Sequence, residues 1–107
     1  MRFIIVGGAP LSNSTHDFIR TCLGSIIVQG YSLTESCCTG TVMENRDVTC
    51  GTVGSPMTDV ETRLVDWEEG NYKVTDRPNP RGEIVMGGET IAKGYFNQVS
   101  LHKKNCR

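Results

Sequence analysis

Apolar residues fall along this chain in short runs between glycine- and proline-rich breaks, and the runs change character near the middle. Phe3-Ile4-Ile5-Val6 and Ile26-Ile27-Val28 are unbroken apolar stretches, the pattern of strands covered on both faces. The first stops at Gly7-Gly8-Ala9-Pro10, where two glycines free the backbone and Pro10 removes a donor. Between the two runs, Phe18, Ile19, Cys22 and Leu23 recur at helical spacing and predict a helix with those residues as its apolar face. Ser14, three residues before Asp17, fits a capping pattern at its start, and Gly24 fits a left-handed stop at its end. The first third thus predicts strand, helix, strand, a unit that is normally parallel with a right-handed crossover.

After Ser36 the pattern loosens. Residues 37–58 hold Gly40, Gly51, Gly54 and Pro56 with scattered apolar positions, and predict a turn-rich connector with a short strand near Gly40-Thr41-Val42-Met43. From Asp59 the alternation of Val60, Thr62 and Leu64 with charged residues predicts a half-exposed strand ending at Asp66-Trp67. A polar turn at Glu68-Glu69-Gly70-Asn71 would return the chain as a partner strand, Tyr72-Lys73-Val74-Thr75. Pro78 and Pro80 interrupt any ladder, and Glu83-Ile84-Val85-Met86 reads as a further strand. Ile91, Gly94, Tyr95 and Phe96 form a last apolar patch before a polar tail. The expected fold class is α/β: a strand-helix-strand piece of an open parallel sheet, followed by an antiparallel β-barrel-like segment. The expected divisions are 1–36, a connector at 37–58, a β-rich segment at 59–97 and a tail at 98–107.

Composition narrows the reading. At 107 residues the chain can form one small domain or part of a larger one, and 37% hydrophobic residues is low for a self-sufficient domain. Eleven basic and twelve acidic residues leave a net charge of −1, so no sequence-wide field invites nucleic acid. No apolar run approaches the length that crosses a bilayer, and the opening run is too short for a signal peptide. Five cysteines, at 22, 37, 38, 50 and 106, form no CxxC pair, and His16 and His102 are not spaced to complete a zinc site with them. Reduced thiols are expected, several of them buried, with Cys37 and Cys38 packed behind the loop that carries Glu35. That implies a reducing intracellular compartment. His16 is expected to be a partly exposed helix residue, Trp67 a core or rim residue, and Arg81 a residue that fixes a turn through backbone contacts.

The stretch Gln29-Gly30-Tyr31-Ser32-Leu33-Thr34-Glu35-Ser36 begins where the second strand is expected to end. In open α/β sheets ligands collect beyond the carboxyl ends of strands. This one offers a flexible glycine, an aromatic face, a hydroxyl and a carboxylate, the parts that hold a base, a phosphate and a magnesium ion. The bland alternative is a strand-to-loop turn with a satisfied surface Glu35.

Five ordered motifs decide between the two. Gly7-Gly8-Ala9-Pro10-Leu11, the 29–36 stretch, Gly51-Thr52-Val53-Gly54-Ser55-Pro56, Asn79-Pro80-Arg81-Gly82-Glu83-Ile84 and Gly94-Tyr95-Phe96 resemble successive motifs of the adenylate-forming (AMP-binding) enzymes. The segment from Asp66-Trp67 to Glu83-Ile84 looks nearest to animal long-chain fatty acid–CoA ligases. The resemblance covers about residues 4–97 and dissolves near Gln98. It implies activation of a long-chain fatty acid with ATP to acyl-AMP, then transfer to coenzyme A, with magnesium required. Carried over, Glu35 would hold Mg2+ and Thr34 would touch phosphate. Tyr31 would stack on adenine, Gly30 would admit the backbone to the ring, and Gly8, Ala9 and Pro10 would line the other side. Ser32 stands in the nucleotide-binding stretch where the family usually has glycine.

The same resemblance implies a phosphate loop, a ribose-binding Asp, a hinge and a mobile C-terminal domain that the 107 residues do not contain. The expectation is therefore an internal fragment of a ligase whose full-length relatives associate with the endoplasmic reticulum or other intracellular membranes. The catalytic residues would lie elsewhere, and the isolated chain is expected to be inactive. The alternative is a catalytically inactive short protein that binds nucleotide or the ligase.

Overall fold

Strands β1 (Phe3–Val6) and β2 (Ile26–Ser32) pair in parallel, Phe3 opposite Ile26 and Val6 opposite Gln29, across helix α1 (Asn13–Leu23). The computed structural model describes residues 2–96, and the chain divides into two compact units, Met1–Thr58 and Asp59–Arg107. The tail from Gln98, with His102 and Cys106, lies outside the described residues.

The helix starts earlier than the Ser14–Asp17 pattern predicts. Its N-cap is Ser12, in extended backbone, whose hydroxyl oxygen accepts from the Thr15 N–H at 3.1 Å. Gly24, at φ 55°, ends it in the left-handed conformation as expected. Its inward face is also different: Phe18, Cys22 and Leu23 are exposed, and the residue wholly removed from solvent is His16.

The second strand runs four residues past Val28, because a partner holds it there. Strand β3 (Gly40–Val42) pairs antiparallel with it, placing Gly30 opposite Val42, Tyr31 opposite Thr41 and Ser32 opposite Gly40. Strand β4 (Ser55–Pro56) then pairs antiparallel with β3. Residues 37–58 thus contribute two strands, and the sheet, ordered β1-β2-β3-β4, is mixed and not wholly parallel. Pro56 fits because β4 is the edge strand, where a missing donor costs no ladder bond.

Ile27, Val28 and Met43 form the apolar core of this unit. Strand alternation sets Ile4, Ile27, Val6 and Gln29 on one face and Phe3, Ile5, Ile26 and Val28 on the other. Only the first is covered by α1. On the other face Val28 is buried but Phe3, Ile5 and Ile26 are 46%, 67% and 46% exposed, so the two-sided burial predicted from the apolar runs is only partly met among the described residues.

In the second unit β5 (Glu61–Val65) pairs antiparallel with β6 (Glu83–Gly87), with Val60 and Met86 buried. The described residues form a two-stranded ribbon there and no closed barrel. Tyr72-Lys73-Val74-Thr75 is not the partner strand. The Asp66 carboxylate accepts from the Val74 N–H at 2.8 Å, and Asp76 accepts from the Lys73 N–H at 3.0 Å, which turns that backbone away from a ladder. Trp67 and Tyr72 close the turn by a single bridge, with ring centroids 5.8 Å apart. Arg81 fixes the same turn: its N–H donates to Lys73 O at 3.1 Å, its guanidinium pairs with Asp76 at 2.9 Å and lies 4.6 Å from the Tyr72 ring centroid.

Candidate functional site

A cavity of about 400 Å3 opens at the carboxyl end of β2, lined by residues 8–11, 29–33 and 51–53. Three short segments build it. The turn after β1 supplies Gly8, Ala9 and Pro10, with Gly8 at φ 84°, an angle that favours glycine. The far half of β2 supplies Gln29, Gly30, Tyr31 and Ser32, with Gly30 and Tyr31 half-buried. The third wall is Gly51, Thr52 and Val53, to which the sequence motif assigned no role.

Backbone proximity explains the glycines. A Cβ on Gly30 would stand 2.9 Å from the Thr41 carbonyl oxygen, so the residue serves the β2–β3 pairing as well as the cavity. At Gly54, with φ 77°, a Cβ would overlap the Val42 carbonyl, which lets the third wall return onto β3.

Thr34 and Glu35 lie just past the rim, which ends at Leu33. They ride on a single 3-10 turn, Thr34–Ser36. Ser36 is buried, and its hydroxyl accepts from the Leu33 N–H at 3.1 Å and donates to the Leu33 carbonyl at 3.0 Å, fixing the turn against the end of β2. Glu35 is half-buried there. Among the described residues no three His, Cys, Asp or Glu side chains converge as a metal cage. Magnesium commonly takes one or two carboxylates and fills its shell with phosphate and water, so a site with Glu35 as its one carboxylate is compatible with that ion.

Two contacts missed in the sequence hold the cavity's base. His16, expected to be partly exposed, is wholly buried, with Nδ1 3.2 Å from Gln29 Nε2 and Nε2 without a partner among the described residues. Met43 grips Gln29 from the other strand: its N–H donates to Gln29 O at 2.9 Å, and its sulfur accepts from the Gln29 N–H at 3.4 Å. A polar pair crossing from helix to strand leaves no mark in the hydrophobic period, which is why neither residue stood out.

The segment leading to the third wall docks on α1. Arg20 pairs with Asp17 and donates from Nη1 to the Val48 carbonyl at 2.8 Å. The Cys50 thiol donates to Asp17 Oδ1 at 3.3 Å, and Arg20 Nη2 lies 3.9 Å from its sulfur. Burial, and then the Asp17 carboxylate, push the thiol's pKa up, so it stays protonated and able to donate. Asp47 caps the bend from below, accepting from the Thr49 N–H at 2.9 Å and hydroxyl at 2.7 Å, which hold its carboxyl below the ordinary range.

The other cysteines among the described residues depart from expectation. Cys22, Cys37 and Cys38 are exposed free thiols, not buried ones. Cys37 and Cys38 take left-handed backbone angles, φ 52° and 62°, as the chain leaves the 3-10 turn, and do not pack behind Glu35.

The sequence profile described as AMP-binding enzyme matches residues 1–96. The chain belongs to that family. Long chain acyl-CoA synthetase 8 of Arabidopsis thaliana is 52% identical over 97 residues, which is 91% of this chain and 14% of that protein. The peroxisomal long chain acyl-CoA synthetase 7 of the same organism is 44% identical over 96 residues, 90% of this chain and again 14% of the relative. The motifs are therefore not particular to the animal ligases that the sequence suggested. Among solved structures, the A domain of a carboxylic acid reductase from Segniliparus rugosus, in complex with AMP and a co-purified carboxylic acid, superposes with a TM-score of 0.69. It is 33% identical, with 94% of this chain and 15% of that one covered. The fold is that of a piece of a family adenylation domain, and the chain spans about one seventh of the length of its curated relatives.

Proposed function

We propose that this chain forms the adenine-binding part of a long-chain fatty acid–CoA ligase, an acid–thiol ligase that makes acyl-AMP from fatty acid and ATP and passes the acyl group to coenzyme A. One observation carries the reading: the three segments that match family motifs close around one cavity at the end of β2. The Tyr31 ring offers a face for the base, and Gly8, Ala9 and Pro10 form the opposite wall. Gly30 keeps the intervening strand thin enough for the ring to reach the backbone. Thr34 and Glu35 lie just beyond the rim, where they would meet the phosphates of an adenosine so placed. Magnesium, when bound, would offset the charge that builds on the α-phosphate, and Glu35 is the residue that would hold it. The 52% identity to a long-chain synthetase favours this over a binding protein that never served a ligase. An intracellular site agrees with the peroxisomal relatives, which lend no support to the endoplasmic reticulum.

Equilibrium dialysis of the chain with labelled AMP tests the reading. Saturable binding is expected, weakened about tenfold by Tyr31→Ala, the loss of one base stack. Glu35→Ala should leave AMP binding intact and remove the magnesium dependence of ATP binding. No saturable binding, or binding indifferent to Tyr31, would refute the assignment. The chain alone should show no fatty-acid-dependent exchange of pyrophosphate into ATP.

A further inference from the structure

Helix α1 touches two walls of the cavity with two different stripes. His16 reaches β2 through Gln29. Asn13, Asp17 and Arg20, at i, i+4 and i+7, form the neighbouring stripe and meet the segment that becomes the third wall. A Cβ on Gly51 would stand 2.8 Å from the Asn13 side-chain oxygen; Cys50 donates to Asp17; Val48 accepts from Arg20. Arg20 is the centre of this contact, since one guanidinium holds Asp17, the Val48 carbonyl and the face of the Cys50 sulfur at once. It touches nothing in the cavity itself.

We propose that Arg20 is a positioning residue for nucleotide binding: it clamps residues 48–51 to α1 and so sets where Gly51, Thr52 and Val53 stand against the ligand. The inference rests on the reading of the cavity as a nucleotide site. It makes the helix a rigid spacer between the base-stacking strand and the third wall, because the strand and the wall are both fastened to it. A loop that lost the clamp would keep its chain connection to β4 but sample wider positions, and the ligand would have to reorder it on binding.

Cys50 reports the clamp directly. Site-resolved alkylation of the full chain should find Cys50 slower than the exposed Cys22, Cys37 and Cys38. Arg20→Met, which keeps the apolar stem, should speed Cys50 alkylation per thiolate, read from the pH–rate profile because losing the guanidinium also raises the thiol's pKa, and should raise the AMP dissociation constant, each by about tenfold, the scale of one lost charged hydrogen bond. Cys22, Cys37 and Cys38 should keep their rates, and Arg20→Lys should recover part of both effects. Asp17→Asn provides a second route should Arg20→Met fold poorly: it retains an acceptor for the thiol but loses the ion pair, and should speed Cys50 in the same sense once rates are compared per thiolate, which removes the effect of the lost carboxylate on the thiol's pKa. Unchanged Cys50 rates and unchanged AMP affinity in both variants would overturn the assignment. So would a rise that Cys50 shares with Cys22, Cys37 and Cys38, which is general loosening. A wild-type chain that binds no AMP would count against the nucleotide site, while the thiol rates would still decide whether Arg20 clamps the loop.

Discussion

At Gly30 one missing side chain answers to two demands. The sequence motif explained it by the approach of a base, but the tighter constraint comes from behind, where the Thr41 carbonyl occupies the space a Cβ would need. Gly30→Ala should therefore cost about 1–3 kcal/mol of folding stability through displaced β3 backbone, besides weakening AMP binding. Urea unfolding measures the first quantity; an alanine variant as stable as wild type would show that β3 yields freely. His16 teaches the converse. Charge and position made it look like a surface residue, and Phe18, two residues on, looked like core. The structure reverses them, since a histidine with a hydrogen-bonding partner on the adjacent strand can be buried, whereas Phe18 is exposed among the described residues. Partners across space are what a linear pattern does not carry.

Elements bounded by local chemistry were legible, and those bounded by pairing were not. Gly24 stopped the helix where expected because a left-handed stop is written in one residue. The end of β2 depended on β3, so the apolar run underestimated it. The stretch from Tyr72 to Thr75 had strand-like residues, yet two aspartates turned its backbone. That turn carries a pH signature. The Lys73 N–H holds the Asp76 carboxyl below its ordinary value; burial opposes it less strongly, and Arg81 adds to the lowering. A depressed carboxyl contributes stability above its unfolded pKa and loses it as pH falls through the folded one. Acidification below the usual aspartate range should therefore open the turn. Fluorescence of Trp67, the chain's one tryptophan, should change in that window, and Asp76→Asn should abolish the change. A transition that persisted in the variant would assign it to another group.

For the whole molecule, the order of motifs was readable and the set of neighbours was not. Apolar runs at 3–6 and 26–28 rightly announced two strands, though not their cover on both faces, and the cavity lies at the end of the second. The third wall came from a loop whose role depends on its docking to α1, which no spacing rule reveals. Phe3, Ile5 and Ile26 remain partly open to solvent on the face away from α1, each forgoing roughly half or more of the about 1.5–3 kcal/mol that full burial gives. Such a face turns stability into a matter of mass action. Anything that binds it in the folded state alone, a second copy of the chain or a detergent micelle, draws the folding equilibrium with it. The thermal midpoint should accordingly rise with protein concentration, and Ile5→Ser should flatten that dependence in a scanning calorimeter. A midpoint independent of concentration would mean that the face binds no second copy. If the dependence holds, a melting temperature for this chain is meaningful only together with the concentration at which it was taken.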